Sequence, residues 1–161
     1  MIANTPSITV IGFGEAGASL CIGWKRTSVR CFDIKQTQPQ TQAAILAAMH
    51  KLGVESAADA ASAVSNADLI FSTVTADQAF DAASSVAPGI KPGAFFFDLN
   101  SCAPTTKQKS AAVIEAAGGR YVDIAVMATI TPHYHQTPML ICSDHCDAAM
   151  TALQALEMSP T

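Results

Sequence analysis

The chain has 161 residues, half of them apolar and 14% charged, which excludes a disordered chain and suits one domain with a sizeable core. A formal net charge of −4 gives no electrostatic footprint for nucleic acid, and the apolar runs are too short to span a bilayer. Met1 to Pro6 lacks the basic-then-apolar pattern of a secretion signal, so the expected location is the cytoplasm.

Short β-rich runs alternate along the chain with Ala-rich helical stretches, the pattern of an α/β protein with a mostly parallel sheet. Strands are predicted at Ser7–Ile11, Val29–Asp33, Val54–Ser56, Leu69–Val74, Ala94–Leu99, Arg120–Ile124 and Met139–Cys142. Helices are predicted between them at Glu15–Lys25, Gln40–Lys51, Asp59–Val64, Asp77–Val86, Thr105–Ala117 and His145–Leu156. Ala94-Phe95-Phe96-Phe97 is continuously apolar, as a strand covered on both faces requires. Right-handed crossovers would distribute the helices over both sides of the sheet. Gly53, Pro88-Gly89, Pro92-Gly93 and Gly118-Gly119 fall at the expected breaks. Lys35 to Thr41, the one polar low-complexity stretch, is predicted to be a surface loop.

Five cysteines (Cys21, Cys31, Cys102, Cys142, Cys146) are an odd count, read as free thiols in a reducing compartment. Cys142, His145 and Cys146, with His133 and His135, are metal-ligand residue types. Their spacing does not match paired-ligand patterns, so no metal is expected.

The first predicted strand runs into Gly12-Phe13-Gly14-Glu15-Ala16-Gly17 and then a helix. Gly12 suits a tight turn, Gly14 lets backbone approach a pyrophosphate, and Gly17 lets the helix pack on the strand. The helix mouth then offers unpaired N–H groups and a partial positive charge to phosphate. Asp33 closes the next strand, 21 residues after Gly12, where a carboxylate can accept hydrogen bonds from ribose hydroxyls and repel a 2′-phosphate. These features predict a Rossmann-type, doubly wound, mostly parallel sheet in a single α/β domain that binds NAD or NADP. Asp33 favours NAD, while Lys35, two residues on, leaves NADP open.

With these residues the chain resembles the β-hydroxyacid dehydrogenase superfamily, which includes 6-phosphogluconate and 3-hydroxyisobutyrate dehydrogenases. It is most similar to the phosphogluconate dehydrogenase-like NAD-binding proteins. Ser72-Thr-Val-Thr-Ala-Asp77, Asp98-Leu-Asn-Ser-Cys-Ala-Pro104 and Tyr121-Val-Asp-Ile-Ala-Val-Met127 carry the rest of the resemblance, which covers nearly the whole chain. It implies cofactor contacts at Val74, Thr75 and Ala76. It also places Asn100 and Ser101 beside the nicotinamide and substrate, where both can hydrogen-bond a hydroxyl. The same stretch also reads as a helix-capping loop, with Ser101 or Thr105 capping the helix that follows, and both readings can hold together.

Two departures follow. The superfamily's Ser-Gly-Gly after the sixth strand, which binds a substrate carboxylate, is replaced by Met127-Ala-Thr129. The loop then continues through His133 and His135, which could contact a substrate or transfer a proton near neutral pH, or simply sit in a solvated loop. Cys102 is read as a packed thiol. The resemblance also implies a helical second domain that supplies the acid/base lysine and is not contained in residues 1–161. Lys107 and Lys109 are read as solvated surface on the fifth helix.

The function expected is thus the NAD(P)-binding domain of an oxidoreductase that passes a hydride between nicotinamide and a substrate carrying a hydroxyl or carbonyl group. The alternatives are a dinucleotide sensor without catalysis, and a small complete reductase using His133 or His135 as acid. The expected partners are a small-molecule substrate and either the missing helical domain or a second copy of the chain, through exposed apolar surface.

Overall fold

A computed structural model describes residues 5–24 and 27–161. Four short strands form the heart of the sheet: β1 (Ile8–Ile11), β2 (Val29–Phe32), β4 (Leu69–Ser72) and β5 (Phe95–Asp98). Two-residue β3 (Glu55–Ser56) lies beyond β2, while β6 (Arg120–Val126), β7 (Pro138–Cys142) and β8 (Ser159–Pro160) extend the other side. The spatial order is β3-β2-β1-β4-β5-β6-β7-β8. All neighbours are parallel except β6 and β7, which pair antiparallel with Ala125 opposite Leu140. This is the doubly wound, mostly parallel α/β fold of Rossmann type. The chain runs from β1 to β2 in one direction and reaches β4 in the other, so a crevice opens where their carboxyl ends diverge.

Helices α1 (Glu15–Gly23), α2 (Gln42–Lys51), α3 (Ala60–Val64), α4 (Ala79–Val86), α5 (Pro104–Ala116), α6 (Ile130–His133) and α7 (Cys146–Ala155) cover the sheet. Strand pleating sends alternate residues to the two faces. Phe95 and Phe97 join one core with Val10, Leu20, Trp24, Phe71 and Val122, while Phe96 joins the other with Ile70, Val86, Ile114 and Tyr121. Phe71 and Phe97 stack at 4.9 Å, both fully buried. Burying one such side chain contributes roughly 1.5–3 kcal/mol relative to leaving it exposed.

Lys25, the predicted end of the first helix, and Met1–Asn4, the start of the stretch read for a secretion signal, lie outside the described residues. Three expectations need correction. The stretch after Asp33 is not simply a surface loop: Ile34–Thr37 forms a 3₁₀ turn, and buried Gln36 donates to the Ala57 carbonyl at 2.5 Å. The turn forms because Asp33 Oδ1 accepts from the Lys35 N–H at 2.8 Å, while Gln36 Oε1 accepts from the Asp33 N–H at 3.3 Å. Neither Ser101 nor Thr105 caps α5, whose N-cap is Ala103 with Pro104 in the first turn, where a missing N–H costs nothing. Finally, Ser159–Pro160 adds an eighth strand after α7. Among the described residues, no helix is long and apolar enough to cross a membrane.

Candidate functional site

Gly12 has a φ of +94°, so the chain turns sharply as it leaves β1, and a Cβ there would lie 2.6 Å from the Thr73 carbonyl oxygen. Thr73, at the end of β4, donates its hydroxyl to the Gly12 carbonyl at 2.8 Å and locks the turn from the other side. Gly17 packs so closely that a Cβ would overlap the Gly12 carbonyl oxygen. Gly14 differs: an added Cβ meets nothing within 4 Å and would project into open space. Gly14 is also the N-cap of α1, and no side chain caps that helix. The first-turn amides and the positive end of the helix therefore face the space that a Gly14 side chain would fill.

That space is a cleft of about 760 Å³. Its lining includes Gly12, Gly14, Glu15, Ala16, Asp33, Lys35, Val74 and Thr75, eight residues singled out from sequence. Asp33 sits at the tip of β2, only 7% exposed, with Oδ2 accepting from the Phe13 N–H at 2.6 Å and Oδ1 from Lys35 N–H. A carboxylate offers about four lone-pair sites, so each oxygen keeps capacity for a further donor.

The other sequence candidates lie elsewhere. Phe13 and Gly17 support the turn from beneath, the Phe13 ring buried in the core and its N–H consumed by Asp33. Ala76 is exposed at the start of a 3₁₀ turn outside the cleft lining. Asn100 is buried behind Val74, accepting from the Val74 N–H at 2.7 Å and donating to Ser72 Oγ at 3.0 Å. Ser101 is exposed on the loop after β5.

The two histidines do not reach the cleft. Thr131 lies 3.2 Å from Ser19 by their hydroxyls, and the His135 ring rests against Gly23, so their loop runs down α1 away from the glycine turn. Gly23 makes room for the imidazole because it carries no side chain. His135 Nδ1 is buried there without a partner among the described residues, while His133 is exposed. Among the described residues no group of three or more His, Cys, Asp or Glu side chains can hold a metal ion, and Cys146 Sγ instead donates to the Ser143 carbonyl.

Sequence reasoning missed the far wall of the cleft. Gln78, Asp81, Ala82 and Ser85 line it at helical i, i+3, i+4, i+7 spacing. That spacing, with small residues on an otherwise apolar helix, was the available signal. Lys107 was also misjudged. Its side chain is only 12% exposed, with Nζ 2.7 Å from Asp123 Oδ1 and 3.3 Å from Asp98 Oδ1. Lys109 is exposed as expected.

A crevice at the strand-order reversal, a glycine turn under an uncapped helix mouth and an acidic tip on β2 define a dinucleotide-binding Rossmann domain. Gly14 leaves open the space that a pyrophosphate would need. The chain belongs to the family described as the NAD binding domain of 6-phosphogluconate dehydrogenase, whose model matches residues 7–152. The fold closely matches a conserved hypothetical protein from Sinorhizobium meliloti 1021, with 31% identity and a TM-score of 0.92, covering 99% of this chain and 54% of that one. It is also similar to a 3-hydroxyisobutyrate dehydrogenase from Mycobacterium tuberculosis (20% identity, TM-score 0.80, 98% and 54% covered). An imine reductase from Pseudomonas sp. is likewise similar (21% identity, TM-score 0.77, 98% and 55% covered). At such identities the last two likenesses concern fold alone. No curated protein sequence matches the chain. The chain spans about half the length of these structural relatives.

Proposed function

We propose that this chain binds NAD in preference to NADP and orients it for an oxidoreductase that acts on a hydroxyl-bearing or carbonyl-bearing substrate. The observation that carries the reading is the Asp33 carboxylate, tied to the glycine turn at the rim of an open helix mouth. In this reading the first-turn amides of α1 at Glu15 and Ala16 receive the pyrophosphate. Asp33 accepts from the adenosine ribose hydroxyls, and its negative charge disfavours a 2′-phosphate. Lys35, exposed on the same rim, is the residue that tempers this preference. Val74 and Thr75 border the path from the adenosine side toward β5, and Ser101 stands on the loop that a substrate would approach.

Bound there, the nicotinamide supplies or accepts a hydride at its C4 carbon. The chain's own residues bind and orient. We assign none of them the proton transfer, because His133 and His135 line up along α1 rather than beside the cleft. A second domain, making up the remaining length seen in the structural relatives, would supply that group and exclude water. The exposed apolar surface at β7 and the end of β6, where Leu140 is 46% exposed and Met127, just past Val126, 58%, is where such a domain or a second copy of the chain would seat. Membership of a family described by a dehydrogenase's NAD-binding domain supports an oxidoreductase over a nucleotide sensor.

Calorimetric titration tests the cofactor reading. NAD is expected to bind at least tenfold more tightly than NADP, and equal or reversed affinities would overturn the assignment of Asp33.

A further inference from the structure

Lys107 sits in the first turn of α5, the end of a helix where a positive charge is electrostatically disfavoured. Its surroundings explain its placement. The ammonium faces the carboxylates of Asp98 and Asp123 and also donates to the Asp98 backbone carbonyl at 3.0 Å. Asp98 is fully buried at the end of β5. Its Oδ2 accepts from the Tyr121 hydroxyl at 2.6 Å, and its Oδ1 accepts from the Asn100 N–H at 2.9 Å. Asn100 in turn bridges to β4, holding the Val74 N–H and Ser72 Oγ. One chain of contacts therefore runs from Lys107 through Asp98 and Asn100 to Val74, which lines the cleft.

Asp33 marks the adenosine side at β2, so the β4 and β5 ends lie on the nicotinamide side. We propose that Lys107 is a positioning residue, holding the Asp98–Asn100 turn and hence the Val74 backbone in the geometry that accepts the nicotinamide half of the cofactor. This rests on the dinucleotide reading above. The ammonium is largely buried between two carboxylates and a carbonyl of its own chain, outside the cleft lining, so it acts through the turn and not by touching the ligand. A lone ion pair between helix and strand would need only a carboxylate. The added bond to the Asp98 carbonyl fixes the direction in which the backbone leaves β5.

The test compares NAD with ADP-ribose, which is NAD without nicotinamide, by titration into the wild type, Lys107→Met, Lys107→Arg and Asp123→Asn. In Lys107→Met the ratio of NAD to ADP-ribose affinity is expected to fall about tenfold, with ADP-ribose binding within twofold of wild type. Lys107→Arg keeps the charge and is expected to stay within threefold of the wild-type ratio. Should Lys107→Met fail to fold because Asp98 loses its counter-charge, Asp123→Asn decides, since it leaves Asp98 paired; its ratio is expected to fall at least twofold. An unchanged ratio in Lys107→Met, or in Asp123→Asn where Lys107→Met does not fold, or equal loss of both ligands in that variant, overturns the role of Lys107 while leaving the cofactor reading intact. A wild type that binds neither ligand overturns both.

Discussion

The Phe13 backbone N–H donates to Asp33 Oδ2 at 2.6 Å, joining the glycine turn after β1 to the tip of β2 across 20 residues of sequence. The same carboxylate starts the 3₁₀ turn after β2 through the Lys35 N–H. Asp33 is thus a strut between the two turns, and the ribose-reading role proposed for it separates from that one by experiment.

Asp33→Ala leaves the buried Phe13 N–H without an acceptor and weakens the 3₁₀ turn. Each orphaned buried donor costs about 1–3 kcal/mol. Urea denaturation is expected to show a loss of about 2 kcal/mol, and calorimetry a loss of roughly tenfold in NAD affinity with NADP affected less. Asp33→Asn keeps one acceptor oxygen and is expected to recover much of the stability without recovering the preference for NAD.

The glycines differ in what they sacrifice. Gly14→Ala puts a methyl group into open cleft, so stability should stay within about 1 kcal/mol of wild type, the cost of a poorer N-cap. Dinucleotide affinity should nevertheless drop at least tenfold. Gly17→Ala drives a methyl group into the Gly12 carbonyl and should cost about 1–3 kcal/mol of stability. Thermal melts paired with titrations distinguish the two patterns.

Alkaline pH should unfold the protein through buried acids that resist ionising. Burial pushes the Cys21 thiol up to about 12 and the Cys31 thiol higher still, the latter helped by Cys21 and Asp33. Burial, then the bond to Asp98, raises the Tyr121 phenol. In the unfolded chain the thiols ionise near 9.0 and the phenol near 10.0, while the folded chain holds their protons. The stability they confer is fully present below pH 9 and declines as pH rises toward 12, by up to about 1.4 kcal/mol per pH unit for each group. Urea denaturation at pH 8 and pH 10.5 checks this, with a shallower decline expected in Cys21→Ala; equal stability at both pH values would refute it.

His133 is exposed and His135 is packed on Gly23, so neither is expected to matter for the cofactor. His133→Ala should leave stability and NAD affinity unchanged. His135→Ala should cost about 1–2 kcal/mol in packing and leave NAD affinity within twofold. A tenfold loss of NAD affinity in either variant would return the histidines to the site.

What the sequence revealed depended on how local the cause was. Ala94–Phe97 announced a buried strand because both faces of a covered strand must be apolar. Gly12, Gly14 and Gly17 announced the turn because each spacing answers a steric need inside one strand–helix unit. Lys107 was invisible in that way: helical pattern places it on α5, but its burial comes from Asp98 and Asp123 on two strands, a tertiary coincidence. His135 likewise sits against Gly23, 112 residues away. The two-residue strand Ser159–Pro160 has no periodicity to read, and its pairing is decided by the free edge of β7.

The most direct test of the account is an amide NMR titration of the chain with NAD. Saturable shifts are predicted to concentrate at Gly14–Gly17, at Asp33–Lys35 and at Val74–Thr75, with His133 and His135 unmoved. A titration in which the amides of Gly14–Gly17 stay fixed while NAD is brought to millimolar excess would contradict it.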